Sequence, residues 1–192
     1  KIAAVELLNV LRPTVAASVY ITLLAHALHS FPDLAPTPAS DRSEMGYFVQ
    51  EVRRFYPFFP AVAARSRKDF RWRNVHFPAG RRFLLDLHAT NTDPHLWNEP
   101  ETFNPERFRE EGISAFALIP QGGGDVPKNH RCPGETVVLE VMERALRMLL
   151  CEMEYRLPPQ DLRIDRSRMP ALPGSKIILE DIRRSERSLK ET

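Results

Sequence analysis

Apolar side chains recur through residues 1–30 at the spacing of one helical face: Val5, Leu8, Val15, Val19, Leu23 and Ala27. That period predicts a single long helix. Pro13 lies inside it, removes one backbone bond and crowds the preceding turn, so a kink is expected there. Pro32, Pro36 and Pro38 mark Phe31 to Ser40 as a loop. Ser43 reads as the N-cap of a second helix that runs to about Tyr56 and stops at Pro57. From Arg65 to Leu87 the period shortens: Phe70, Trp72 and Val75 alternate with charged residues, and Pro78-Ala79-Gly80 turns the chain into Arg82 to Leu87. Asp93-Pro94, Glu99-Pro100 and Asn104-Pro105 punctuate a long coil that ends in the glycine run Gly122 to Gly124. A third helix opens at Pro133 and runs to about Glu152, with Val137, Leu139, Met142, Leu146, Leu149 and Leu150 apolar. Short strands are expected near Glu154 to Leu157 and Lys176 to Leu179, and Ser185 to Thr192 reads as a polar, frayed tail.

Composition narrows the class. The chain has 192 residues, 43% of them hydrophobic, enough for one core or a large part of one. Its 27 basic and 25 acidic side chains leave a charge of +2, which gives no case for nucleic acid or an acidic membrane as partner. Seventeen prolines against eight glycines are not a flexible-linker composition and indicate ordered coil with fixed turns. Two cysteines are too few for a disulfide framework, so a reducing, cytoplasmic setting is expected. The cleanest apolar run, Val15 to Leu28, is short for a bilayer span and carries His26. Lys1 falls directly into a helical pattern, and the chain reads as part of a longer protein.

Candidate chemistry centres on Cys132, within His130-Arg131-Cys132-Pro133-Gly134-Glu135. Proline favours the first helical position, which puts Cys132 at or near the N-cap, where free N–H groups and the helix dipole favour an anion. Arg131 and His130 add positive charge. Such a thiolate serves as nucleophile, metal ligand or haem ligand; a small buried hydrophobe is the plain alternative. Glu51 and Arg54, three apart on the second helix, read alone as an ordinary ion pair. No second His/Cys pair stands at zinc-site spacing. The glycine run lacks both a hydrolase elbow and the Lys-Ser/Thr step of a phosphate loop.

Taken in order, Glu51-x-x-Arg54, Pro105-Glu106-Arg107-Phe108 and a glycine-rich loop ending in Cys132-Pro133-Gly134 resemble the C-terminal signature of the cytochromes P-450. The resemblance covers about residues 1–183. It implies a mainly α fold with small β-sheets: residues 1–184 as the C-terminal, haem-binding portion of one domain, 185–192 as a tail, and the N-terminal half of the same protein as the missing partner. It implies haem b held by the Cys132 thiolate, with Glu51, Arg54 and Arg107 locking the coil beneath it. His130 stands where arginine is usual, and the loop Ile119-Pro120-Gln121-Gly122-Gly123-Gly124-Asp125 departs from the common aromatic-first form. These features resemble the fatty-acid peroxygenases of the family. His130, Gln121 and Arg65 then become haem-binding candidates, with a solvated strand-end charge as the equal alternative for Arg65.

The first helix offers an independent mark. Where ordinary members carry an acid followed by Thr, this chain has Leu11-Arg12-Pro13-Thr14. Helical neighbours of Arg12, namely Leu8, Asn9, Val15 and Ala16, include no carboxylate. A snorkelling surface arginine is the bland reading. The resemblance implies instead that Arg12 binds a fatty-acid carboxylate beside Pro13, Ala16 and Phe59, with plain core packing as the alternative for the phenylalanines. Hydrogen peroxide would then be the oxidant and a reductase unnecessary. A reductase-fed monooxygenase and a catalytically incomplete haem-binding fragment are the competing expectations.

Overall fold

The computed structural model describes residues 2–110, 112–129 and 131–185. Helix α1 (Ile2–Ser30) continues through Pro13 without interruption. Its halves differ. Tyr20, Leu23, Leu24, Ala27 and Leu28 are buried, whereas Ile2, Val5, Leu7, Leu8, Val10, Leu11 and Val15 are exposed. By length and composition alone α1 is long and apolar enough to cross a membrane, which corrects the expectation drawn from Val15 to Leu28. The unbroken helix adds the apolar turns before Val15 to the span, and its C-terminal half packs into protein.

Helix α2 (Arg42–Phe55) is capped by Asp41, not Ser43: the Asp41 carboxylate accepts the Glu44 N–H at 2.9 Å. An anion suits the positive helix end, and Asp41-x-x-Glu44 has capping-box spacing. Met45, Phe48, Val49 and Val52 form its buried stripe. Helix α4 (Glu135–Arg147) begins two residues later than expected, with Gly134 as N-cap. Pro133 and Gly134 instead form a turn closed by the Glu135 N–H on the Cys132 carbonyl at 3.3 Å. The helix leaves through a widened π-type turn, Met148–Glu152.

One core joins the buried half of α1 to α2 and to Met142, Ala145, Leu146 and Leu149 of the α4 segment. Each leucine or methionine there contributes roughly 1.5–3 kcal/mol by leaving water. Phe103 carries the long coil into this core, stacking on Phe31 with ring centroids 4.3 Å apart.

Among the described residues, three two-stranded antiparallel sheets flank the helices. Strand β1 (Ala61–Arg65) pairs with β4 (Arg82–Asp86), aligning Ala61 with Asp86 and Arg65 with Arg82. The small residues Ala61 to Ala64 give no alternation, which is why β1 escaped the sequence pattern. Strands β2 (Phe70–Trp72) and β3 (Val75–Phe77) meet at Arg73 and Asn74, both at positive φ as a primed hairpin turn requires. Short helix α3 (Leu87–Asn91) follows β4, capped by the Asp86 carboxylate on the Ala89 N–H at 2.8 Å. Strand β5 (Met153–Arg156) pairs with β6 (Glu180–Arg184), which lies beyond the expected Lys176 to Leu179. In that earlier segment Gln160 takes both backbone groups of Ile178, so the chain bonds to a side chain instead of a strand. Ser185 is buried and donates its amide to the Glu152 carbonyl at 2.8 Å; the rest of the expected tail, 186–192, lies outside the described residues.

Candidate functional site

The site is built from the last turns of α2. Glu51 and Arg54 are fully buried and share two hydrogen bonds of 2.7 Å. All five donors of Arg54 are engaged: Nε and one Nη2 hydrogen on Glu51, Nη1 on the Asn91 and Pro100 carbonyls at 3.0 and 2.9 Å, and Nη2 also on Thr102 O at 3.2 Å. Glu51 also accepts the Asn104 N–H at 2.8 Å and lies 3.3 Å from Arg107 Nε. Arg107 in turn donates to the carbonyls of Asn98, Glu99 and Thr102. One carboxylate and two guanidiniums thus fold the coil 91–107 onto α2. The carbonyls that the proline-rich coil cannot pair with itself are satisfied by arginine.

Arg53, next to Arg54, faces elsewhere. It is 1% exposed, donates to Gln50 Oε1 at 2.5 Å and to Gln121 Oε1 at 3.1 Å, and pairs with Glu135. Arg131 grips the same carboxylate through Nε and Nη2 at 2.5 and 3.0 Å. Burial alone would push the Glu135 carboxyl up; the Arg131 hydrogen bond and the Arg53 charge outweigh it and hold it below its ordinary value. Among the described residues, Arg53 Nε and the Tyr20 hydroxyl are buried with no hydrogen-bond partner. The sequence reading passed over Arg53 and Glu135. Two adjacent arginines closing a helix whose other face is apolar were the available signal.

Cys132 hangs from this cluster. Its N–H donates to the Gln121 carbonyl at 2.9 Å, and its thiol is free and half-buried. It stands two residues before the N-cap Gly134, so the helix end acts on it less directly than an N-cap position would. Arg131 is committed to Glu135 and to the Gly124 carbonyl at 3.3 Å. The loop entrance is fixed by the Ile119 N–H on Asn91 Oδ1 at 2.8 Å.

The remaining site candidates are not gathered into one place. Arg12 and Pro13 are exposed on the bare half of α1, and Ala16 is half-buried on the following turn. Among the described residues Arg12 meets no carboxylate. Phe59 is 42% exposed, while Phe58 is buried against Tyr20. Arg65 is exposed at the end of β1, opposite Arg82. Gln121 gives its side-chain oxygen to Arg53 and its carbonyl to Cys132. His130 lies outside the described residues.

The chain's own residues fit a haem. Gly134 has φ −87°, which any residue adopts, and a Cβ there would meet only Cys132 Sγ, at 3.8 Å. Among the described residues no contact forbids a Cβ at 134, so the space beside the Cys132 thiol is open and would admit a haem. Gly124 is different: its φ is +76° and a Cβ would fall 2.3 Å from Asn129 Oδ1. Among the described residues no three His, Cys, Asp or Glu side chains converge as a protein-only metal site needs. A single thiolate, from Cys132, would suit an iron whose remaining protein-independent ligands a porphyrin supplies.

A family model described as cytochrome P-450 matches residues 31–179. Cytochrome P-450 71D18 of Mentha gracilis is 32% identical over 146 residues, 71% of this chain and 29% of its own length. Tabersonine 16-hydroxylase 2 of Catharanthus roseus is 31% identical over 138 residues, 69% of this chain and 26% of its own. Among solved structures, cytochrome P-450 SP alpha (CYP152B1) in complex with (R)-ibuprophen has a TM-score of 0.88 and 50% identity, covering 94% of this chain and 44% of that one. Cytochrome P-450 EX alpha (CYP152N1) with myristic acid gives 0.85 and 48%, covering 93% and 43%. The chain therefore spans less than half the length of these relatives. The family match runs in one piece through the coil, the arginine network and the cysteine loop, and on that ground this chain belongs to the cytochrome P-450 family.

Proposed function

We propose that the chain is the haem-thiolate portion of an enzyme that hydroxylates fatty acids near the carboxyl group, using hydrogen peroxide. What carries the reading is Arg12: a cation on a bare, apolar helix half, with no carboxylate facing it among the described residues. Two relatives of about half-identical sequence were solved with ibuprophen and myristic acid, both carboxylic acids. An arginine in such surroundings gains most from an anion that it can grip with two parallel N–H bonds.

Cys132 would hold the iron of the haem, with Gly134 leaving room beside it. Haem, when bound, supplies the redox chemistry. Arg12 orients the substrate carboxylate, and that carboxylate serves as the proton carrier for peroxide, a role no acidic residue of α1 near Arg12 fills. The balance is R–H plus H2O2 to R–OH plus water, with no external electrons and no reductase. Pro13, Ala16 and Phe59 are assigned to the acyl chain. His130 and Arg65 are assigned to the haem propionates, and Gln121 to the loop beneath.

The test is turnover of myristic acid with peroxide alone by the haem-loaded protein. Arg12→Ala is expected to lose at least about a hundredfold in kcat/KM, roughly 2.7 kcal/mol. Full activity of Arg12→Ala on myristic acid, or turnover only with a reductase, would refute the assignment.

A further inference from the structure

We propose that Arg53 is a positioning residue for the cysteine loop: it fixes Gln121, whose carbonyl receives the Cys132 amide, and so sets where the thiol stands. The inference rests on Cys132 being the iron ligand. Consecutive helical residues project about 100° apart, so Arg53 and Arg54 leave α2 in different directions. Arg54 goes to the coil 91–107 and Arg53 to the loop.

A single guanidinium thereby holds both flanks of the cysteine. On one side Arg53 Nη2 reaches Gln121 Oε1 at 3.1 Å, and Gln121 O accepts the Cys132 N–H at 2.9 Å. On the other it pairs with Glu135, the first residue of α4. Its Nη1 is braced on Gln50 Oε1 at 2.5 Å, within α2 itself. Neutralising Glu135 does not explain this arrangement. Arg131 already grips that carboxylate with two hydrogen bonds and is itself part-exposed. Arg53, at 1% exposure, carries a desolvation penalty that a redundant counterion would not justify. What it adds beyond Arg131 is the connection from α2 to Gln121. Its planar fork can serve Gln50, Gln121 and Glu135 together, whereas an ammonium has no such fixed geometry.

The test uses the haem-loaded protein and separates a positioning role from that of a buried charge. Amide hydrogen exchange is followed at Cys132, alongside the thermal midpoint and the fraction of reduced, carbon-monoxide-bound protein that keeps the red-shifted, thiolate-type Soret band. Arg53→Met is expected to speed Cys132 exchange about tenfold or more. The double variant Arg53→Met/Glu135→Leu replaces the buried pair by apolar contact. It should recover the thermal midpoint but neither the slow exchange nor the thiolate fraction. Gln121→Ala, which cuts the link but keeps the Arg53–Glu135 pair, should reproduce the faster exchange with a smaller loss of midpoint than Arg53→Met. If the double variant restores all three readouts, or Gln121→Ala leaves Cys132 exchange unchanged, Arg53 is only a buried charge and the proposal is overturned. A parent protein without the thiolate-type band would instead overturn the ligand reading, and the exchange arms would still judge Arg53.

Discussion

Arg54→Lys keeps the charge and shortens the reach by little, so a network held by charge alone would tolerate it. The geometry says otherwise. Five acceptors surround Arg54: the two Glu51 oxygens and the carbonyls of Asn91, Pro100 and Thr102. Lysine has three donors, so at least two of the five bonds are lost, and only Thr102 O and the Glu51 oxygens keep a second donor, from Arg107 and Asn104. Glu51 and Arg54 are fully buried, and water has no direct route to replace the bonds. Each lost bond to a charged donor costs about 1.5–3 kcal/mol, and two of them give about 3 kcal/mol as a working figure. For a chain of this size that corresponds to a thermal midpoint lower by roughly 6–12 °C, at about 2–4 °C per kcal/mol. Thermal unfolding of the haem-loaded protein by circular dichroism measures it directly. A midpoint within about 2 °C of the parent would show that the carbonyls are not held by Arg54 in the way described, and the account of how the coil is fastened to α2 would fall with it.

Gly134→Ala should leave the stability of haem-free protein within about 0.5 kcal/mol of the parent, because its Cβ meets only Sγ at 3.8 Å, yet weaken haem binding. Unchanged affinity in a haem titration would remove the reason offered for glycine there. His26 donates from Nε2 to the Leu162 carbonyl at 2.9 Å and accepts the Tyr56 hydroxyl at Nδ1, and burial holds its titration below the ordinary value of 6.5. His88 is lowered as well, by burial and the Arg166 charge. In both cases the unfolded chain takes up a proton that the folded one refuses. Stability is therefore expected to fall as pH drops below about 6.5 until the folded histidines protonate, and His26→Gln should flatten part of that slope. A denaturation midpoint that stays level or rises between pH 7 and 5.5 would contradict this.

The sequence carried the helices well because their apolar periods are long, and it carried Glu51, Arg54 and Arg107 because their order along the chain is itself a signature. It missed Arg53 for a physical reason. The residue's partners, Gln121 and Glu135, lie 68 and 82 positions away, and no local spacing encodes that meeting. Asp41 was legible as a cap by its Glu44 companion, but a serine nearer the apolar run drew the assignment. Strand β6 was displaced in the reading because Ile178 and Leu179 look like a strand, while Gln160 captures the backbone there first. Arg12, Pro13 and Ala16 lie along α1 and Phe59 follows α2, so their grouping rests on resemblance and not on contact.

Asn91 has a consequence for how the molecule comes together. Its backbone carbonyl is bound by Arg54 and its side-chain oxygen receives Ile119, the entrance of the cysteine loop. The first contact spans 37 residues of chain and the second 28, whereas Arg53 and Glu135 close 82. Longer closures cost more entropy, by about 0.6 kcal/mol per doubling. Both short closures cost less than the long one, so the coil and the loop entrance are expected to meet around Asn91 before Arg53 and Glu135 close. Cys132 stands beside the longest of these closures, so its surroundings are expected to settle after Asn91 has joined the coil to the loop entrance, an order that pulse-labelled amide exchange during refolding would read.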